Sequence, residues 1–320
     1  MPARPGIVRL PPWVPAAAGV AIAAILAAQA VGWLALPRWL APWEPPAAPG
    51  VKQRAERAAR IWREAAGEIA RARGVSADEA LIGSELTPLV TTLGALEAKR
   101  VAASPAWAPA LAAQLHAAGI GPGDLVAASF SGSFPGLNLA VAAACEALDA
   151  RLVAVSSVTA SSFGATDPGF TWPEIEARLV GSGALRPVSA AVSAGGDGDR
   201  ALDLDEEGRA LAARIAADAA RELGARLLEP STFEEAVAAR IAVFDAARGA
   251  RRLAAFVNVG GTEASLGLSP AILRVRSGWL QPVVFDRSPG RGLVARMVER
   301  GVPVLHVLNV RELAVRWGVR

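Results

Sequence analysis

The chain has no tyrosine, one cysteine and two histidines among its 320 residues. A lone Cys145 excludes an internal disulfide, and no Cys/His cluster has the spacing of a zinc site, so no metal is expected. Lysine is almost as scarce, with Lys52 and Lys99 against 31 arginines. Where arginine has replaced lysine nearly everywhere, a lysine that remains is a functional candidate, and Lys99 is the one in the globular body. The phosphate fingerprints G-x-G-x-x-G and G-x-x-x-x-G-K-[ST] are both missing, so no nucleotide cofactor is expected. Also missing is a basic run interleaved with aromatics. The sequence pI of 9.9 rests on a formal surplus of three positive charges. Beyond residue 50 the chain carries 30 basic and 29 acidic side chains, so no nucleic-acid partner is expected.

What is present is apolar surface: 52% of residues are hydrophobic and 20% charged, a composition that excludes disorder and supports a sizeable core. A short basic tail (1–12) precedes a candidate anchor at 13–37. No charge occurs from Leu10 to Pro37, and Gln29 is the only strongly polar residue of Ala16–Leu36. At about 1.5 Å per residue these 21 residues span a hydrocarbon core of roughly 30 Å. Trp13, Trp33, Trp39 and Trp43 stand around its ends, where amphipathic rings favour the headgroup level. A cleaved signal peptide is the alternative, but its apolar region is shorter, about 7–15 residues, and "LAP" at Leu40–Pro42 makes a poor cleavage site. Arg4 and Arg9 precede the span, while Arg38 and Glu44 nearly cancel after it. This favours an inner amino terminus and an external body. Residues 38–50 read as a stiff Pro-rich linker.

Residues 51–80 read as a stalk or as the first helix of the domain, and 81–320 as an α/β globular domain. In the domain, helical and strand periods alternate. "DLVAASF" (124–130), a helix at 136–148 and "RLVAVSSV" (151–158) form a βαβ unit, hence a parallel sheet. Helix 206–223, strand 225–228, helix 232–247 and strand 252–259 continue the alternation. Strand 282–286, helix 290–300, strand 303–308 and helix 311–317 complete it. The expected fold is a doubly wound, mostly parallel α/β sheet of Rossmann-like type. The acidic, Gly-rich run 193–208 reads as a surface loop.

Ligands of such sheets bind beyond the carboxyl ends of the strands, near the point where strand order reverses. Three small-polar segments fall after strands: Ser131–Asn138, Ser156–Thr166 and Asn258–Ser265. A fourth, at 82–94, holds Ser84, Glu85, Thr91 and Thr92. Hydroxyls and glycines without bulk suit close approach of backbone N–H groups to an anion. The candidate ligand-binding residues are therefore Ser84, Glu85, Thr91, Thr92, Lys99, Ser131, Gly132, Ser133, Asn138, Gly260, Gly261, Thr262 and Glu263. "SFSGS" partly matches a nucleophile elbow, with Ser129 and Ser133 standing where glycines belong. A hydrolase-ordered triad can be written as Ser131, Asp286 and His306, although His306 lies within an apolar strand.

The segments "LIGSELTPLVTTLGALEAKR", "SFSGSFPGLNLAV", "DPGFTW", "NVGGTEAS" and "GVPVLHVLNVRELA", in this order after one hydrophobic helix, resemble the bacterial poly-gamma-glutamate system protein family. The resemblance runs from about Leu81 to the carboxyl end. It implies a single-pass protein of the cytoplasmic membrane that assists synthesis or export of poly-gamma-glutamate, a capsule or surface polymer. Its implied partners are the synthase or export components and the γ-glutamyl polymer or a small anionic ligand. The resemblance carries no catalytic role. A Ser131-dependent amidohydrolase or transferase and a non-catalytic scaffold remain alternatives.

Overall fold

The computed structural model describes residues 50–280 and 290–319. Among them no helix is long and apolar enough to cross a membrane. The expected anchor at 13–37, the linker before Gly50 and the expected strand 282–286 lie outside the described residues.

Strands β2 (Leu125–Phe130), β3 (Arg151–Ser157), β5 (Ser189–Ser193), β6 (Arg226–Leu228), β7 (Ala255–Val259), β8 (Gly278–Trp279) and β9 (Val304–Val307) form one sheet in the order β6-β5-β3-β2-β7-β9-β8. Every pairing is parallel except β8 with β9. The fold is therefore α/β with a mostly parallel sheet, consistent with a Rossmann-like arrangement. A separate two-stranded ribbon pairs β1 (Val90–Thr92) with β4 (Ala160–Ser161).

Strand β2 is buried along its whole length, which explains its unbroken run of apolar and small residues. Its alternate residues feed two cores. Val126, Ala128 and Phe130 join Trp62, Trp107 and Trp172, whereas Leu125 and Ala127 join Phe244 and Met297. The first core is covered by α1 (Val51–Arg73), α3 (Trp107–Ala117), α4 (Pro135–Ala147) and α5 (Trp172–Gly181). On the second lie α7 (Phe233–Arg248) and α9 (Leu293–Glu299). Helix α1 packs its Ala58, Trp62, Ala65 and Ile69 face into the domain, and Trp62 Nε1 donates to the Gly136 carbonyl at 3.0 Å.

From the centre, the chain steps outward through β3, β5 and β6. Through α7 it then returns to β7 on the other side of β2. Strand order reverses between β2 and β7, which makes their carboxyl ends the switch point. Several elements go beyond the sequence reading, among them the β1–β4 ribbon and the antiparallel edge strand β8. Helix α5 and strand β5 occupy 172–193, and β5 lies inside the sheet. The run 193–208 is more than a surface loop, because Asp199 within it is 1% exposed.

Candidate functional site

The turns after β2 and β7 meet at the switch point. Ser131 N–H donates to the Val259 carbonyl at 3.3 Å, and Gly260 N–H donates to the Val307 carbonyl at 3.0 Å. Gly260 has φ +81°, and a β-carbon built on it would stand 2.1 Å from Ser131 Oγ. Only glycine fits both the backbone and the space. Gly260→Ala is therefore expected to destabilise the protein by about 1–3 kcal/mol, read as a lowered urea midpoint. Asn138, at the start of α4, donates through Nδ2 to the Ser131 carbonyl at 2.8 Å and so fixes the first turn. Gly132 presses against the loop after β3, where a β-carbon would meet the Val158 and Thr159 carbonyls at 2.9 and 3.0 Å.

These turns enclose a cleft of about 570 Å³. Thr91, Thr92, Ser131, Ser133, Gly261, Thr262 and Glu263, all expected from the sequence, line it. Thr159, Ser161, Asp197 and Asp203 line it as well. Ser84 and Glu85 are exposed and lie off the cleft wall; Ser84 is tied to the 163–167 loop through its carbonyl and its N–H. Of the triad residues, Asp286 lies outside the described residues. His306 is fully buried in β9, with Nδ1 3.1 Å from Asn258 Nδ2. No hydrogen bond joins it to Ser131 among the described residues. Burial lowers the His306 imidazole to about 4.

Lys99 lies on α2 (Leu96–Ala102) and is 3% exposed. Its Nζ sits 2.5 Å from the Ser133 carbonyl oxygen and 2.6 Å from Ser161 Oγ, and stands over the Phe134 ring at 4.5 Å. No carboxylate pairs with it among the described residues. Desolvation lowers the amine to about 7, so near neutral pH much of it is uncharged.

Beneath the cleft lies a charged layer that the sequence reading missed. Arg240 of α7 is fully buried and holds Asp199 through Nε at 2.9 Å and a terminal nitrogen at 2.6 Å. The same guanidinium reaches Ser129, Ser157 and Ser193 at the ends of three neighbouring strands. Ser129 Oγ lies 2.6 Å from Ser265 Oγ, to which the Thr262 hydroxyl donates at 2.9 Å. A chain of hydrogen bonds thus links the buried ion pair to the cleft wall. On that wall Glu263 accepts from Gly198 N–H at 2.5 Å. Desolvation first, then the charges of Asp197, Asp203 and Asp199, raise its carboxyl above the usual range.

No protein-family model matches the chain, and no curated protein or solved structure gives a significant match.

Proposed function

We propose that the protein binds a carboxylate-bearing ligand of the γ-glutamyl type in the switch-point cleft, as an anchored accessory of poly-gamma-glutamate synthesis or export at the bacterial cytoplasmic membrane. The observation that carries this reading is the meeting of Ser131–Ser133 with Gly260–Thr262 over adjacent strand ends, around one hydroxyl-rich cleft. The apolar sequence at 13–37, read as an anchor, and the resemblance of the segments from Leu81 onward support the membrane and polymer context.

The cleft wall carries two kinds of group. Ser131, Ser133 and Thr159 supply hydroxyls for carboxylate oxygens, while Asp197, Asp203 and Glu263 suit an amino group. A γ-glutamyl chain end bears both an α-amino group and carboxylates. The near-neutral body fits recognition of such an end better than broad capture of a polyanion.

Calorimetry on the full chain in detergent tests the reading. γ-Linked glutamate oligomers should bind, with affinity about tenfold weaker in Ser133→Ala through loss of one hydrogen bond to a charged group. Absence of binding, or equal binding in the variant, contradicts it. In a producing strain, deletion of the gene should change polymer amount or length; unchanged polymer contradicts the accessory role.

A further inference from the structure

We propose that Ser161 and Lys99 form a nucleophile and base pair that cleaves or transfers the acyl group of a carboxylate-bearing amide seated in the cleft. The substrate class rests on the γ-glutamyl reading above, whereas the pair itself rests on geometry alone. Ser161 lines the cleft, and the buried Lys99 places its Nζ 2.6 Å from Ser161 Oγ, within reach for proton transfer. Lys99 is oriented by a third group, the Ser133 carbonyl, as a base must be to act repeatedly from one position. Gly94 lets the chain pass close to the pair, since a β-carbon there would stand 2.8 Å from the Ser162 carbonyl oxygen, 3.2 Å from Lys99 Cε and 3.3 Å from Ser161 Oγ.

A buried amine with no carboxylate partner among the described residues is a poor structural device, because burial penalises its charge and none of those residues offsets the loss with an ion pair. As a base it has a use. The uncharged amine donates one N–H to the Ser133 carbonyl and offers its lone pair to the Ser161 hydroxyl proton. Its titration near neutrality suits that exchange. Ser133 Oγ accepts from Ser161 N–H at 3.1 Å and keeps its own proton for an acceptor in the cleft.

The step balances without a cofactor. Ser161 Oγ gives its proton to Lys99 Nζ and bonds to the amide carbon, whose carbonyl π pair moves to oxygen. As that pair returns, the C–N bond breaks and the amine departs with the proton held by Lys99. An acyl ester on Ser161 and an uncharged Lys99 remain. Water, or a second amine, then attacks the ester by the same proton relay and regenerates the Ser161 hydroxyl.

The test is labelling of the full chain with a fluorophosphonate probe, followed by peptide mapping. The expected adduct is on Ser161, with a labelling rate that rises with pH around a midpoint near 7, where Lys99 loses its proton. Ser161→Ala should remove the adduct. Lys99→Met and Lys99→Arg should each slow labelling by about 100-fold, since arginine keeps a charge but supplies no base. A wild-type protein that takes no adduct on Ser161, or takes it on Ser131 instead, overturns the pair whether or not the variants fold. So does wild-type labelling in Lys99→Arg. The probe needs no γ-glutamyl group, so oligomer binding without labelling overturns the pair and leaves the ligand reading standing. Labelling without oligomer binding does the reverse.

Discussion

Arg240→Leu is expected to destabilise the folded protein by about 3–5 kcal/mol, which is the usual cost of stranding one charge of a buried pair. Both side chains of the Arg240–Asp199 pair are fully buried, and the guanidinium makes five hydrogen bonds to Asp199, Ser129, Ser157 and Ser193. Leucine would leave the Asp199 carboxylate with only the Ser193 hydroxyl among the described residues. Urea denaturation measures the loss. Adding Asp199→Asn to the variant should recover part of it, because the remaining group is then uncharged. Asn is also the residue type that best tolerates the positive φ of 60° at Asp199. Equal stability of wild type and Arg240→Leu would contradict the assignment of this layer as the support of the cleft.

The second large effect is on pH dependence. Lys99 titrates at 10.5 when exposed and near 7 when folded. Between these values the unfolded chain binds more protons than the folded one, so stability rises with pH. Its contribution is fully present above the unfolded value and is lost as pH falls through the folded value. The slope grows from about half of 1.4 kcal/mol per pH unit at the folded midpoint to nearly the full value, so the gain from pH 7 to pH 9 is about 2 kcal/mol. Cys145 sets the upper limit of the useful window. Burial raises its thiol from 9.0 to about 12, so above pH 9 the unfolded chain loses that proton first, and this loss offsets the continuing gain from Lys99. Lys99→Met should therefore remove most of the rise between pH 7 and pH 9 while leaving the other titrations in place. Urea midpoints of both proteins at the two pH values give the difference. A rise of the same size in Lys99→Met would show that the amine stays charged in the folded state.

Much of the fold is visible in the sequence where burial acts on local pattern. "DLVAASF" and "RLVAVSSV" are unbroken apolar runs because β2 and β3 are covered on both faces. Helix α6 keeps its expected bounds, Glu206–Leu223, with Asp205 as its amino-terminal cap and Gly224 after its end. Strand β5, "SAAVS", carries too little hydrophobicity to stand out, yet it pairs with both β3 and β6.

The site divides in the same way. The turns at Ser131 and Gly260 follow from strand–turn–helix order and the switch-point rule. Arg240 and Asp199 do not, because they pair across 41 residues of chain. One local signal was available: Ala236, Val237, Val243 and Phe244 mark the buried stripe of α7, and Arg240 sits within it as the one charged member. The burial of Lys99 has no such signal. "LEAKR" reads as a solvated helix surface, and only the distant Ser133 and Ser161 make it an interior site.

The most direct measurement of the central claim is hydrogen exchange of the full chain with and without a γ-linked glutamate oligomer. Slower exchange is predicted at residues 131–134, 159–163 and 260–263, three of the segments that line the cleft. Protection confined to segments away from the cleft, or none at saturating oligomer, would contradict the claim that the switch-point cleft is the binding site.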